Sequence, residues 1–251
     1  MLNTPIHNGY IKKKTLFFDA VGTLFEVDQG VGFQYSRMAL KFGIQQESGL
    51  LDQRFYDAFK KRPPLAFPNL PSDQLEQTQK EWWRDLVRDV FEGSYFSNFD
   101  SFFEALYRFF AGNIGEMSPW VVFPETVEVL EQLSQSGYTM GIISNFDSRL
   151  QSVLISLGIA NFFQTVTCSA LEGVAKPDCE IFNRAIQKTG CLRSDVIYIG
   201  NDPYDDKIGA ELADISFLLI DRKKRDEKGI ISPETLNDLR EIKGYLSIIK
   251  P

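Results

Sequence analysis

The chain is predicted to adopt an α/β fold, a parallel sheet covered by helices on both faces with a mainly helical insertion. Two observations carry this. In the second half of the 251 residues, apolar runs of strand length alternate with amphipathic helical patterns. After the first such run comes a long stretch with no convincing β-pattern. A third observation bears on function: polar residues close the runs at one end, where open α/β sheets bind ligands.

The first run, Leu16-Phe17-Phe18, stops at Asp19 and a turn containing Gly22. Residues 28–115 then read as helical over Phe33–Phe42, Leu75–Phe91 and Asp100–Phe110, with Pro63-Pro64, Pro68 and Pro71 dividing the stretch into turns. The expected division is therefore a core of residues 1–27 and 116–251 and a cap of residues 28–115. The cap is rich in Phe, Tyr and Trp, as the core of a small helical bundle requires. Adjacent Trp82 and Trp83 cannot both face inward on one helix, so one is expected to reach a cleft or a subunit contact.

Beyond the insertion, Thr126–Gln135 places Val127, Leu130 and Leu133 on one helical face. The run Tyr138–Ile143 ends in Ser144-Asn145, and a helix over Leu150–Leu157 stops at Gly158. Thr165–Cys168 is the next strand, followed by a helix over Glu180–Lys188 with Ile181, Phe182, Ala185 and Ile186 inward. Val196–Ile199 ends in Gly200-Asn201-Asp202, and Ile215–Ile220 ends in Asp221.

Composition narrows the class of function. Hydrophobic residues make up 43% and charged residues 24%, enough for the full core of a soluble globular protein. The net charge of -7, with only short basic clusters at Lys12–Lys14 and Arg222–Arg225 that read as solvated surface, argues against a nucleic-acid partner. No stretch approaches the roughly 18 uninterrupted apolar residues of a membrane span, and none reads as a signal peptide. Cys168, Cys179 and Cys191 lack CxxC spacing and are expected to be reduced thiols in a cytoplasmic protein. With His7 the only histidine, a Ser-His or Cys-His pair and a polyhistidine metal site are disfavoured.

Four polar clusters fall at strand ends or in nearby loops: Asp19 with Thr23, Ser144-Asn145, Lys176-Pro177, and Asn201-Asp202 with Asp205-Asp206. Singly, each has an ordinary explanation as a cap, a turn or solvated surface. Together they supply a carboxylate nucleophile, a hydroxyl donor, an ammonium and an acidic cluster, the set that phosphoryl transfer through an aspartyl-phosphate needs. Hard oxygen ligands of this kind suit Mg2+.

These motifs resemble those of the haloacid dehalogenase (HAD) superfamily, in the subfamily with a helical cap after the first strand. Asp19-Ala20-Val21-Gly22-Thr23-Leu24 is similar to its first motif and Ile142-Ile143-Ser144-Asn145 to its second. Lys176-Pro177-Asp178 resembles the third, and Ile199-Gly200-Asn201-Asp202 with Asp206 and Gly209-Ala210 the fourth. The resemblance runs from about residue 14 to 222 and implies a Rossmann-like sheet and a Mg2+-dependent hydrolase acting on a small phosphorylated metabolite. It implies Asp19 as nucleophile and metal ligand, the Val21 carbonyl as a second ligand, and Thr23 steadying the loop. It implies Ser144, Asn145 and Lys176 around the phosphoryl group, and Asp202 or Asn201, supported by Asp206, at the metal.

Two departures qualify this. Phosphatases of the family usually carry a second aspartate two residues after the nucleophile, where this chain has Val21. Such acid–base help is worth about 10²–10⁴-fold. Gly200 is followed by Asn201 where the family usually has aspartate, which leaves open whether Asn201 or Asp202 faces the metal. Three other readings compete with a phosphatase. A 2-haloacid dehalogenase would need a cap arginine such as Arg37 or Arg54. A phosphonatase-like enzyme would need a cap lysine such as Lys41, Lys60 or Lys61. A catalytically weak module that binds a phosphometabolite or a protein would need neither.

Overall fold

The computed structural model describes residues 14–112, 118–222 and 235–248. His7, Lys12, Lys13 and Lys223–Arg225 lie outside the described residues. In chain order, strand β1 is Thr15–Phe18 and β2 is Phe25–Val27. Helices α1 Val31–Leu40, α2 Ser48–Lys61, α3 Ser72–Val90 and α4 Phe99–Phe109 follow. Then come β3 Trp120–Val122, α5 Thr126–Gln135, β4 Thr139–Ser144, α6 Leu150–Ser156, β5 Thr165–Cys168, α7 Ser169–Glu172 and α8 Cys179–Thr189. The chain continues through β6 Val196–Gly200, α9 Gly209–Leu212, β7 Ser216–Ile220, β8 Thr235–Leu236 and α10 Ile242–Ile248.

Six strands form one parallel sheet in the order β5-β4-β1-β6-β7-β8. This is the expected α/β architecture. Side chains alternate between faces along each strand, and the two faces feed two cores. Leu16, Phe18, Ile142 and Ile199 pack with Leu130 and Leu133 of α5 and Leu154 of α6. Phe17, Ile143 and Tyr198 pack on the opposite face with Ile181, Phe182 and Ala185 of α8. Helix α8 has its ends written into the sequence: Asp178 accepts from Glu180 N at 2.9 Å as N-cap, and Gly190 closes it at φ 65.

The strands β4 to β7 and helices α5, α6 and α8 lie within a residue or two of their expected spans, because each carries a full apolar period. Helix α2 was not foreseen. It buries only Leu51 and Ala58, a stripe too thin to stand out from its polar surroundings. The antiparallel pair β2–β3 was missed for a similar reason, three residues per strand being too few for alternation to register.

Helices α1 to α4 enclose a core of their own, rich in aromatic rings. Phe102 packs edge-on against Phe91 at 5.0 Å and stacks on Phe96 at 4.6 Å. Such pairs add about 0.5–1.5 kcal/mol each beyond area burial. Trp82 turns into this core and donates to Pro63 O at 3.1 Å, whereas Trp83 turns toward the sheet. Among the described residues no helix is long and apolar enough to cross a membrane.

Candidate active site

Asp19 extends β1 by one residue. Its N–H donates to Ile199 O at 2.8 Å, which holds its carboxylate at the C-terminal edge of the sheet. The β1–β4 register, Phe18 opposite Ile142, brings buried Ser144 to the same edge. Lys176 comes from the loop between α7 and α8, and Asn145 fixes that loop from both sides. Lys176 N donates to Asn145 Oδ1 at 2.8 Å, and Asn145 Nδ2 donates to Lys176 O at 3.0 Å and to Asp205 Oδ2 at 3.1 Å.

The buried Lys176 ammonium has three protons and three acceptors: Asp19 Oδ1 at 2.6 Å, Asp206 Oδ1 at 2.6 Å and Tyr198 OH at 3.0 Å. Burial opposes its charge, but Asp19 and Asp206 outweigh burial and hold the ammonium above its usual range. Burial pushes the Asp19 carboxyl up to about 6, with Lys176 opposing and Asp206 reinforcing the rise. Burial and then Asp206 hold the Tyr198 phenol well above its ordinary value, so it acts here as a neutral hydrogen-bonding group.

Asp206 is placed by a π-helical turn over Pro203–Ile208. Its Oδ2 accepts from Asp202 N at 2.9 Å and its Oδ1 lies 2.7 Å from Tyr198 OH. The turn brings the carboxylate so close to β6 that a Cβ on Gly200 would sit 2.4 Å from Asp206 Cγ, which is why glycine stands there. The Asp202 carboxylate is directed into the turn, where its Oδ1 accepts from Tyr204 N at 2.7 Å and Asp205 N at 2.8 Å. Asn201 faces the other way. Its Oδ1 accepts from Thr23 Oγ1 at 3.1 Å, and a Cβ on Gly22, at φ +85, would lie 2.6 Å from its Nδ2. Asn201, not the Asp202 carboxylate, therefore packs on the loop that follows Asp19.

Sequence reasoning thus named Asp19, Lys176 and Asp206, which meet in one cluster, and Asn145, Thr23 and Asn201, which brace it. It missed Tyr198, which lies inside an apolar run and reads as a core aromatic. It also read Arg222 as part of a solvated cluster. The structure corrects this: Arg222 stacks on Phe123 at 3.5 Å, pairs with Glu125 at 2.6 Å and donates to Thr23 O at 2.7 Å. The end of β7 carries it back onto the Asp19 loop, a contact across 199 residues that no local pattern announces.

Loop residues 145–149, after β4, also anchor the helical layer. Trp83 Nε1 donates to Asp147 Oδ2 at 2.5 Å, and Gln79 Oε1 accepts from Ser148 N at 2.7 Å. Asp147 is fully buried and paired with Arg149 at 2.6 Å. Between this layer and the sheet edge lies a cavity of about 1030 Å³. Val21, Gly22, Asn145 and Asn201 line its end at the sheet edge, while Asp19 and Ser144 lie behind them and do not line it, and aromatic rings form much of its wall. Neither Arg37, Arg54, Lys41, Lys60 nor Lys61 lines it. Arg54 instead donates to Val90 O at 3.3 Å and Glu92 O at 3.2 Å, closing the end of α3.

Among the described residues no group of three or more His, Cys, Asp or Glu is placed to hold a metal ion. Both Asp206 oxygens are already engaged. The donors around Gly22 are oxygens, as Mg2+ requires: the Asp19 carboxylate, the Asn201 amide and the Val21 carbonyl. They fit the ion in kind while offering it a single carboxylate.

Comparisons with known proteins identify the family of the chain that carries this cluster. A family model described as haloacid dehalogenase-like hydrolase matches residues 13–214. The zebrafish (Danio rerio) haloacid dehalogenase-like hydrolase domain-containing protein 3 is 30% identical over 236 residues, covering 92% of this chain and 95% of its own. Glyceraldehyde 3-phosphate phosphatase of Methanothermobacter thermautotrophicus is 30% identical over 223 residues, covering 78% and 96%. Among solved structures, a HAD phosphatase from Thermococcus onnurineus superposes with a TM-score of 0.63 at 19% identity, covering 93% and 97%. The chain belongs to the haloacid dehalogenase-like hydrolase family.

Proposed function

We propose that this protein is a phosphohydrolase that transfers the phosphoryl group of a small phosphorylated metabolite to Asp19 and then to water. The observation that carries this reading is the Asp19–Lys176–Asp206 cluster, two carboxylates each 2.6 Å from one buried ammonium at the sheet edge. A carboxylate paired with a cation, on a loop whose Val21 and Gly22 line the cavity, is a nucleophile beside a charge that steadies the non-bridging oxygens. Ser144 and Asn145 would complete that cradle, Thr23 would hold the loop through Asn201, and the helices over Val31–Phe109 would act as the cap.

The resemblance to phosphatases supports magnesium, with Asp19, the Val21 carbonyl and Asn201 as ligands and Asp206 behind them. Bound there, the ion would offset the charge between carboxylate and phosphate. Lys176 has no free proton in this arrangement, so it takes up a phosphoryl oxygen by releasing one of its three partners. Val21 provides neither a proton for the leaving group nor a base for water, so esters of good leaving groups are favoured. The three unpaired cysteines agree with a reducing cytoplasm.

The test is turnover of p-nitrophenyl phosphate with and without Mg2+. Metal-dependent release of nitrophenolate that disappears in Asp19→Asn is the expected result. Metal-independent chloride release from 2-chloropropionate would instead make the protein a dehalogenase. Silence in both assays, with vanadate or phosphate still binding, would make it a binding module, a reading that Val21 and Asn201 favour.

A further inference from the structure

The cavity lined by Val21 and Gly22 of the Asp19 loop is unusual for a site that handles a small polar metabolite, in size, in wall and in charge. Its volume of about 1030 Å³ lies at the top of the range of about 300–1,000 Å³ for pockets that enclose drug-sized ligands. A triose phosphate or an amino-acid phosphate would leave most of it empty. Phe55, Trp83, Phe103, Tyr107, Phe110 and Trp120 line it from the helical layer and β3. Phe103 also belongs to the core of the helical layer, and Phe55, Trp83, Tyr107 and Phe110 pack against that core while lining the cavity.

Charge points the same way. Both cations among the described lining residues are already neutralised, Arg149 by Asp147 and Arg222 by Glu125, each at 2.6 Å. A second carboxylate or phosphate on the substrate would find no unpaired cation among them. Val21, two residues after Asp19, is an apolar residue of the lining.

We propose that the substrate is the phosphate monoester of an uncharged phenol, its ring held by the aromatic wall and its phosphoryl group at Asp19. The inference rests on the phosphohydrolase reading and deepens it. An Asp19 oxygen bonds to phosphorus as the bond from phosphorus to the aryl oxygen breaks, and the electron pair leaves on a phenolate. A phenol ionises near 10, so this oxygen departs without the proton that Val21 cannot give. Water then attacks the aspartyl-phosphate. Its oxygen bonds to phosphorus, one of its protons passes to the phenolate retained in the cavity, and Asp19 is regenerated beside phenol and hydrogen phosphate.

The experiment compares kcat/KM for 2-naphthyl phosphate, phenyl phosphate, O-phosphoserine and glyceraldehyde 3-phosphate, with acetyl phosphate as a substrate needing neither acid nor ring. Naphthyl and phenyl phosphate have closely similar leaving groups, so a difference between them reads the wall and not the chemistry. The expected result is naphthyl over phenyl by about tenfold or more, expressed in KM, and both above the alkyl esters. Phe55→Leu, which keeps apolar bulk without the ring, lowers the naphthyl-to-phenyl ratio. Alkyl esters equal to the aryl ones, or acetyl phosphate alone being cleaved, overturns the aromatic substrate and leaves the phosphohydrolase standing. An unchanged ratio in Phe55→Leu also overturns it. No turnover of any of the five compounds removes the phosphohydrolase reading and this inference together.

Discussion

The Trp83 indole, on α3, donates its proton to the buried carboxylate of Asp147, two residues beyond the Asn145 that clasps Lys176. One hydrogen bond thus joins the helical layer to the loop that holds the ammonium. Trp83→Phe keeps the ring and removes the donor, while Asp147 retains Arg149. The expected loss is about 1.5–3 kcal/mol, as for a bond to a charged group, with kcat and KM changing together as in cap-closure variants. Thermal denaturation and steady-state kinetics check this; a change in stability with no kinetic effect would remove the link between layer and loop.

Lys176→Met places an apolar chain between Asp19 and Asp206. Removing the cation of a buried pair costs about 3–5 kcal/mol because the carboxylates are left uncompensated. Adding Asp206→Asn relieves the repulsion, so the double variant should be more stable than Lys176→Met alone. Both should lack turnover. Denaturant titration of the three proteins decides.

Val21→Asp introduces a proton donor two residues after the proposed nucleophile, Asp19. Turnover of alkyl phosphates should rise by about tenfold or more, within the 10²–10⁴-fold span of such groups, while p-nitrophenyl phosphate, which needs no proton, changes less. Equal gains on both substrates would mean that the new carboxylate acts on something other than the leaving group.

Asn201→Asp exchanges a neutral amide for a carboxylate beside Gly22. Magnesium affinity, read as the concentration for half-maximal activity, should tighten by at least tenfold, because ligand charge count governs hard-cation sites. Asp202→Asn should leave it nearly unchanged, since that carboxylate caps the turn at Tyr204 and Asp205. The opposite ranking would assign the metal to Asp202.

In the proposed reaction Asp19 would attack as the anion, and burial raises its carboxyl to about 6. At limiting magnesium, kcat/KM should therefore fall about tenfold per pH unit below about 6, a limb that reports the free enzyme. Saturating metal favours the anion and should move the limb to lower pH. The same shift makes the folded chain bind more protons than the unfolded one between about pH 4 and 6. The Asp19 contribution to stability therefore declines as pH rises through that window. A limb at pH 4 under both conditions would contradict the buried setting of Asp19.

Local sequence patterns were enough to give the succession of β1 and β4 to β7 along the chain, the α5, α6 and α8 helices, and the strand-end positions of Asp19, Ser144 and Asn201. Those features rest on local period, caps and turns, which a few adjacent residues carry whole. What it left open was decided by contacts between distant segments. Asn201 and Asp202 are neighbours with near-equal claims in sequence. Only the π-helical turn, pressed against Gly200, sends one side chain to Thr23 and the other into the turn. Tyr198 and Arg222 look like a core ring and a surface charge until β6 sets the phenol beside Lys176 and β7 returns the guanidinium to Thr23. The aromatic residues of the insertion likewise read as core filling in sequence, and tertiary packing lets Phe55, Trp83, Phe103, Tyr107 and Phe110 serve that core and line the cavity as well.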